Sequence, residues 1–223
     1  MKRRDESGFT IVEILVAISL FSIVSVGFYQ VMFAGVRGSD ATQNVTRISE
    51  EARLGFNRMI RDTREARSIV GASPTAYEIE VDYDSDGVIE AASLERVRFT
   101  YNDTDNMVTI AAWDGSVYGT EEILMENVDD VGGSDVFMYR SNHLEYDYEN
   151  LSGGAGADGV TTWQEIDDPP PGVTGVGNDD GALNGTEFGY LSDVEYLFSI
   201  RSGDRVTTFS GQAQLRNRRF GRA

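Results

Sequence analysis

Carboxylates are the side chains with the most chemistry in this 223-residue chain, and their positions are unusual. Glu13 is the only charged residue among the 28 from Phe9 to Val36. A carboxylate inside an apolar span costs about 2.5 kcal/mol or more, so it needs a partner in the finished structure. Further on, Asp82, Asp84, Asp86 and Gly87 read D-x-D-x-D-G, the first half of an EF-hand calcium loop, with Glu90 at the ninth position. The twelfth position, where a bidentate Glu belongs, is Ser93, and no helices are expected on either side. Two readings stay open: a Ca²⁺ site built from Asp82, Asp84, Asp86 and Glu90, or a hairpin turn rich in Asp and Gly. Asn178, Asp179, Asp180, Asn184 and Glu187 form a second group of the same type. Catalytic chemistry finds no comparable pattern. His143 is the sole histidine, its neighbours Asn142 and Glu145 form no recognisable motif, and there is no cysteine nucleophile, Walker loop, nucleophile elbow or dinucleotide fingerprint. No catalytic residue and no enzyme activity are expected.

Composition narrows the class further. Residues 71 to 210 hold 29 Asp and Glu against five Arg, a local balance of −24 within a chain of net charge −18. Such a surface disfavours nucleic acid, whose phosphates call for basic partners. Its acids either bind cations or keep the domain hydrated in a salty exterior. With no cysteine, neither a disulfide nor a thiolate metal site is available.

The elements that carry these residues follow from periodicity. A helix over residues 9–36 would be roughly 42 Å long at about 1.5 Å per residue, enough to cross a bilayer core of about 30 Å. Lys2, Arg3 and Arg4 precede it, which keeps the N-terminus cytoplasmic and sends the rest outward. Val45, Ile48, Ala52, Phe56, Met59 and Thr63 then recur at spacings of three and four, one apolar helical face. Arg58 with Asp62 and Arg61 with Glu65 are expected i,i+4 pairs. The helix is expected to reach about Ser68, with Gly71 and Pro74 supplying the stop. Strands are expected at Tyr77 to Tyr83, Glu95 to Tyr101, Met107 to Trp113, Val194 to Arg201 and Arg205 to Leu215, with a turn at Asn102 to Asn106. Ser152 to Asn184, rich in Gly, Asp and Pro, reads as mostly loop.

The start of the chain is the most specific part. A short basic leader, the Gly8-Phe9 junction and a Glu four residues after Phe9, in the string GFTIVE, resemble the prepilin-type signal of type IV pilins and type II secretion pseudopilins. An ordinary secretory signal has an apolar core of about 7 to 15 residues followed by small residues at the cut, whereas here the glycine stands before a much longer run. In that family a membrane peptidase cuts after the glycine on the cytoplasmic side and methylates the new N-terminal residue. The resemblance implies Gly8 as the last leader residue and Phe9 as the first mature, N-methylated one. It implies that Glu13 pairs with the N-terminal amine of a neighbouring subunit during assembly. EARLGFNRMIRDTREA at Glu51 to Ala66 and the ending from Leu191 are similar to minor pilins and pseudopilins of the PilW and GspJ kinds.

The expected architecture is α+β, a long N-terminal helix packed on an antiparallel β-sheet. Its parts are a leader at 1–8, a membrane and assembly helix at 9–36, an amphipathic extension at 37–70, and an acidic β-rich domain at 71–223 with a loop insertion near 152–184. The expected function is a structural subunit, a minor pilin or pseudopilin. Its expected partners are a prepilin peptidase, other pilins of the same filament and an inner-membrane assembly platform. It would be a single-pass inner-membrane precursor that moves to a periplasmic or cell-surface filament. A bulk filament subunit and a filament-displayed adhesive or ligand-binding module are the alternatives.

Overall fold

The computed structural model describes residues 10–89, 95–147, 158–168, 177–203 and 205–215. Helix α1 runs Ile11–Glu65. The chain divides into two compact units, residues 1–47 and 48–223. In the first, the helix over Ile11–Ser39 is long and apolar enough to span a bilayer, and its large apolar side chains are exposed. Two of its hydroxyls are satisfied within the helix. Ser19 Oγ donates to Leu15 O and Ser22 Oγ to Ile18 O, each at 2.8 Å. Such i−4 bonds spare these two hydroxyls from seeking water in an apolar medium.

The second unit is built around the remainder of α1. Ala52, Met59 and Thr63 are buried and Ile48 and Phe56 half-buried, which is the face read from the sequence. Two antiparallel sheets supply the other layer. The first has the order β1-β2-β3-β4-β5, with β1 at Ser68–Ser73, β2 at Ala76–Glu80, β3 at Arg96–Asn102, β4 at Met107–Ala112 and β5 at Glu122–Glu126. The second has the order β10-β9-β7-β8, with the two-residue β6 (Val128–Asp129) pairing β9. Here β7 is Phe137–Ser141, β8 Thr161–Thr162, β9 Asp193–Ser202 and β10 Arg205–Gln214. A long apolar helix followed by antiparallel sheets is the α+β arrangement of a pilin-like fold.

Helix and sheets meet at a buried knot of hydroxyls. Thr63 Oγ1 lies 2.7 Å from the Tyr196 hydroxyl and 3.2 Å from that of Tyr77, and the two phenols are 3.2 Å apart. One side chain from α1, one from β2 and one from β9 thus satisfy each other in a core that excludes water. Beside it the Phe56 ring stands edge-on to Tyr196, Phe198 and Phe209, at 5.9, 5.5 and 5.8 Å between centroids. On its other flank α1 comes so close to β5 that a Cβ on Gly55 would lie 2.7 Å from the Leu124 carbonyl oxygen.

The structure corrects four local expectations. The helix stops at Glu65 rather than near Ser68, and Gly71 lies inside β1 instead of ending a helix. The backbone finds better partners in the sheet: Arg67 N donates to Glu80 O at 2.7 Å, and Ile69 is buried opposite Ile79. Arg58 does pair with Asp62 at 3.6 Å, but Arg61 also turns to Asp62, at 3.1 Å, and not to Glu65. Asp62 is buried and additionally accepts from the Tyr83 hydroxyl, so it draws both arginines. In the segment read as loop, β8 and the short helix α2 (Trp163–Asp167) form, the latter opened by a capping box between Thr162 and Glu165. Residues 152–157 and 169–176 of that segment lie outside the described residues.

Candidate functional site

Thr10 and Glu13 open α1 with a reciprocal cap. Thr10 N donates to Glu13 Oε2 at 3.0 Å, Thr10 Oγ1 to the same oxygen at 3.2 Å, and Glu13 N to Thr10 Oγ1 at 3.3 Å. This is the T-x-x-E capping box, which satisfies donors at a helix start that have no intrahelical acceptor. A negative charge in the first turn also complements the helix dipole. The sequence reading assigned Glu13 only to pairing between subunits, although the Thr10-x-x-Glu13 spacing was there to signal the cap. Glu13 Oε1 takes no hydrogen bond among the described residues, so the cap occupies one oxygen of the carboxylate. Gly8 and Phe9 lie outside the described residues.

The acidic loop after β2 brings three of its four predicted ligands together. One carboxylate oxygen each from Asp82, Asp84 and Asp86 lie within 4.8 Å of one another. Much of their capacity goes to the turn itself. Gly87 N donates to Asp82 Oδ2 at 2.9 Å, Asp86 N to Asp84 Oδ1 at 3.1 Å, and Val88 N to Asp86 Oδ1 at 2.7 Å. Ser85 and Gly87 take left-handed φ values of 62° and 84°, which fold the loop sharply. Asp82 Oδ1 is buried with no hydrogen-bond partner among the described residues. Glu90 lies outside the described residues.

The second acidic group is tied up by its own backbone. Asp180 accepts from Ala182 N at 3.0 Å and from the Nδ2 groups of Asn178 and Asn184 at 3.0 and 2.7 Å. Asp167, which sequence reasoning missed, is buried and accepts from Asp180 N and Gly181 N at 3.3 and 2.8 Å. Glu187 is buried and accepts from Asn184 N at 2.8 Å. Burial, with the charges of Asp167 and Asp180, outweighs that bond and pushes the Glu187 carboxyl above its usual range. His143 is half-buried, 2.8 Å from Glu145 Oε1 and packed on Tyr190 and Tyr146, which makes it part of a loop anchor.

Against known proteins, residues 3–29 match the family model described as the prokaryotic N-terminal methylation motif. No curated protein and no solved structure matches the chain. The N-terminus therefore carries a prepilin-type signal, which supports a type IV pilin-like or pseudopilin subunit, a class that is structural in general. Such a signal on an apolar helix fits anchoring in the inner membrane followed by display in a filament.

Proposed function

We propose that the chain is a minor pilin or pseudopilin of a type IV pilus or type II secretion filament, cut between Gly8 and Phe9, N-methylated on Phe9 and assembled through α1. The observation that carries this reading is the methylation motif over residues 3–29 set on a helix whose large apolar side chains are exposed. A helix so exposed requires a covering: lipid before assembly and neighbouring helices afterwards. Lys2, Arg3 and Arg4 hold the leader on the cytoplasmic side, where the peptidase acts. In the filament the free oxygen of Glu13 receives the positive N-terminal amine of a neighbouring subunit, while its other oxygen keeps the cap. Other pilins and an inner-membrane platform are the implied partners.

Asp82, Asp84 and Asp86 belong to the same proposal as ligands of one Ca²⁺, supported by their convergence and by the partnerless Asp82 Oδ1. Calcium takes six to eight oxygens in flexible geometry, and bound there it would lock the loop that follows β2.

Replacing Gly8 with a bulky residue tests the reading. The expected result is an uncut precursor that stays in the membrane and is missing from filaments. Normal incorporation of that variant would contradict it.

A further inference from the structure

We infer that β10 is an open docking edge that receives an extended, acidic strand from a partner polypeptide. The inference rests on the sheet edges and stands apart from the filament reading. Edge strands expose unpaired backbone groups, and proteins ordinarily guard them with charges, bulges, proline, brevity or a covering element. Among the described residues the other edges are guarded, β6 by being two residues long. β1 has a register shift between Ile69 and Gly71 and lies against the 3₁₀ turn at Glu187–Tyr190. β5 carries Glu122 and Glu126 and a register shift in its pairing with β4. β8 is two residues long.

Apart from the single charge of Arg205 at its start, β10 has none of these devices among the described residues. It pairs with β9 through ten consecutive residues without a shift, and among the described residues it pairs with nothing else. Its sequence, RVTTFSGQAQ, contains no proline and no Asp or Glu, in a chain that holds 37 acids. A second strand laid along it would gain a full ladder of main-chain hydrogen bonds, the mode of recognition known as β-augmentation.

The surroundings say what kind of strand fits. A Cβ on Gly211 would touch Phe56 at 2.8 Å and Ile60 at 3.4 Å, so the inner side of β10 rests on those two residues of α1. Both are only half-buried, and a further strand would finish covering them. Arg53, Phe56, Ile60 and Arg64 follow at spacings of three and four and share that side of the helix. Arg58 and Asp62 fall on the opposite flank, toward Glu122 and Tyr83. Arg53, Arg64 and Arg205 are exposed and form no ion pair among the described residues. The edge is thus an apolar strip between uncommitted arginines, on a domain that is otherwise acidic. Its complement is a strand with apolar side chains on one face and net negative charge.

The test uses the full chain in detergent micelles and a peptide of sequence AYEIEVDY, which has that pattern. Hydrogen exchange should slow at alternate amides of β10 when the peptide is added, and the acidic peptide should bind about tenfold tighter than one with Lys at the acidic positions, a difference of about 1.4 kcal/mol. Arg53→Glu with Arg64→Glu, both on exposed positions, should reverse that preference. A peptide N-methylated at alternate residues keeps the side chains but cannot form the ladder, and should not protect β10. Equal protection by the N-methylated peptide, or no protection by any, overturns the edge as the site. Equal affinity of the acidic and basic peptides overturns the stated chemistry, and full chains that already protect β10 by pairing with each other overturn a separate partner.

Discussion

Replacing Glu13 by Gln and by Ala separates its two roles. The cap uses Glu13 Oε2 for two hydrogen bonds at 3.0 and 3.2 Å. Glutamine can retain them, because a capping box accepts Glu or Gln at this position, whereas alanine loses them at a cost of about 1 kcal/mol. The charge is worth more in the assembled state. Opposite unit charges 4 Å apart attract by about 4 kcal/mol at an effective dielectric of about 20, and removing one member of a buried pair costs about 3–5 kcal/mol. That corresponds to roughly a hundredfold to several-thousandfold loss in association. Both variants should reach the membrane at wild-type level, since each removes an ionisable group from the apolar span. Both should be lost from filaments, with alanine also fraying the first turn. Immunoblots of the membrane fraction and of sheared filaments, taken with wild-type partner subunits, give the two quantities. Wild-type incorporation of Glu13→Gln would mean that Glu13 serves the cap alone.

The other predictions concern the β-rich unit. Calcium added to the chelated full chain in detergent should raise its melting temperature more than magnesium at equal ionic strength, because a ligand that binds only the folded state stabilises it. Asp84→Asn with Asp86→Asn should remove that excess, and equal shifts by both cations would leave only the turn. Glu187 has its folded pKa raised above the ordinary 4.5, so its ionised form is the costly one when folded: the penalty is full at neutral pH and fades as pH falls toward 4.5. In chelator, Glu187→Gln should therefore melt higher than wild type at neutral pH, with an advantage that narrows on acidification; a pH-independent difference would refute the cause given. Thr63→Val should cost about 1–3 kcal/mol by removing hydrogen bonds from the buried hydroxyl knot. Combined with Tyr196→Phe it should cost less than the sum of the single changes, and strict additivity would show that the three hydroxyls do not act together.

What the sequence disclosed depended on how local the signal was. The prepilin-type start, the apolar span and the face Ala52, Phe56, Met59 and Thr63 are contiguous patterns, legible from spacing alone. So were β2 and β3, whose alternating side chains match their burial, and β4, β9 and β10, which pair where strands were expected, although β2 ends at Glu80 rather than Tyr83. β1 was hidden because SIVGAS carries Gly and Ser and looks like the tail of a helix. Only its pairing with β2 makes it a strand. The short β6 and β8 borrow their order from β9 and β7 and carry no pattern of their own. The hydroxyl knot joins residues up to 133 apart in sequence, so no local reading finds it. Asp167 was overlooked because its role depends on α2 bringing it beneath the amides of Asp180 and Gly181.

The mature N-terminus decides whether the chain is processed as a prepilin. The mass and N-terminal fragmentation of the chain recovered from filaments should show a start at Phe9 carrying one added methyl group. A chain that retains Met1 to Gly8 in assembled filaments, or that begins elsewhere within the apolar run, would contradict it.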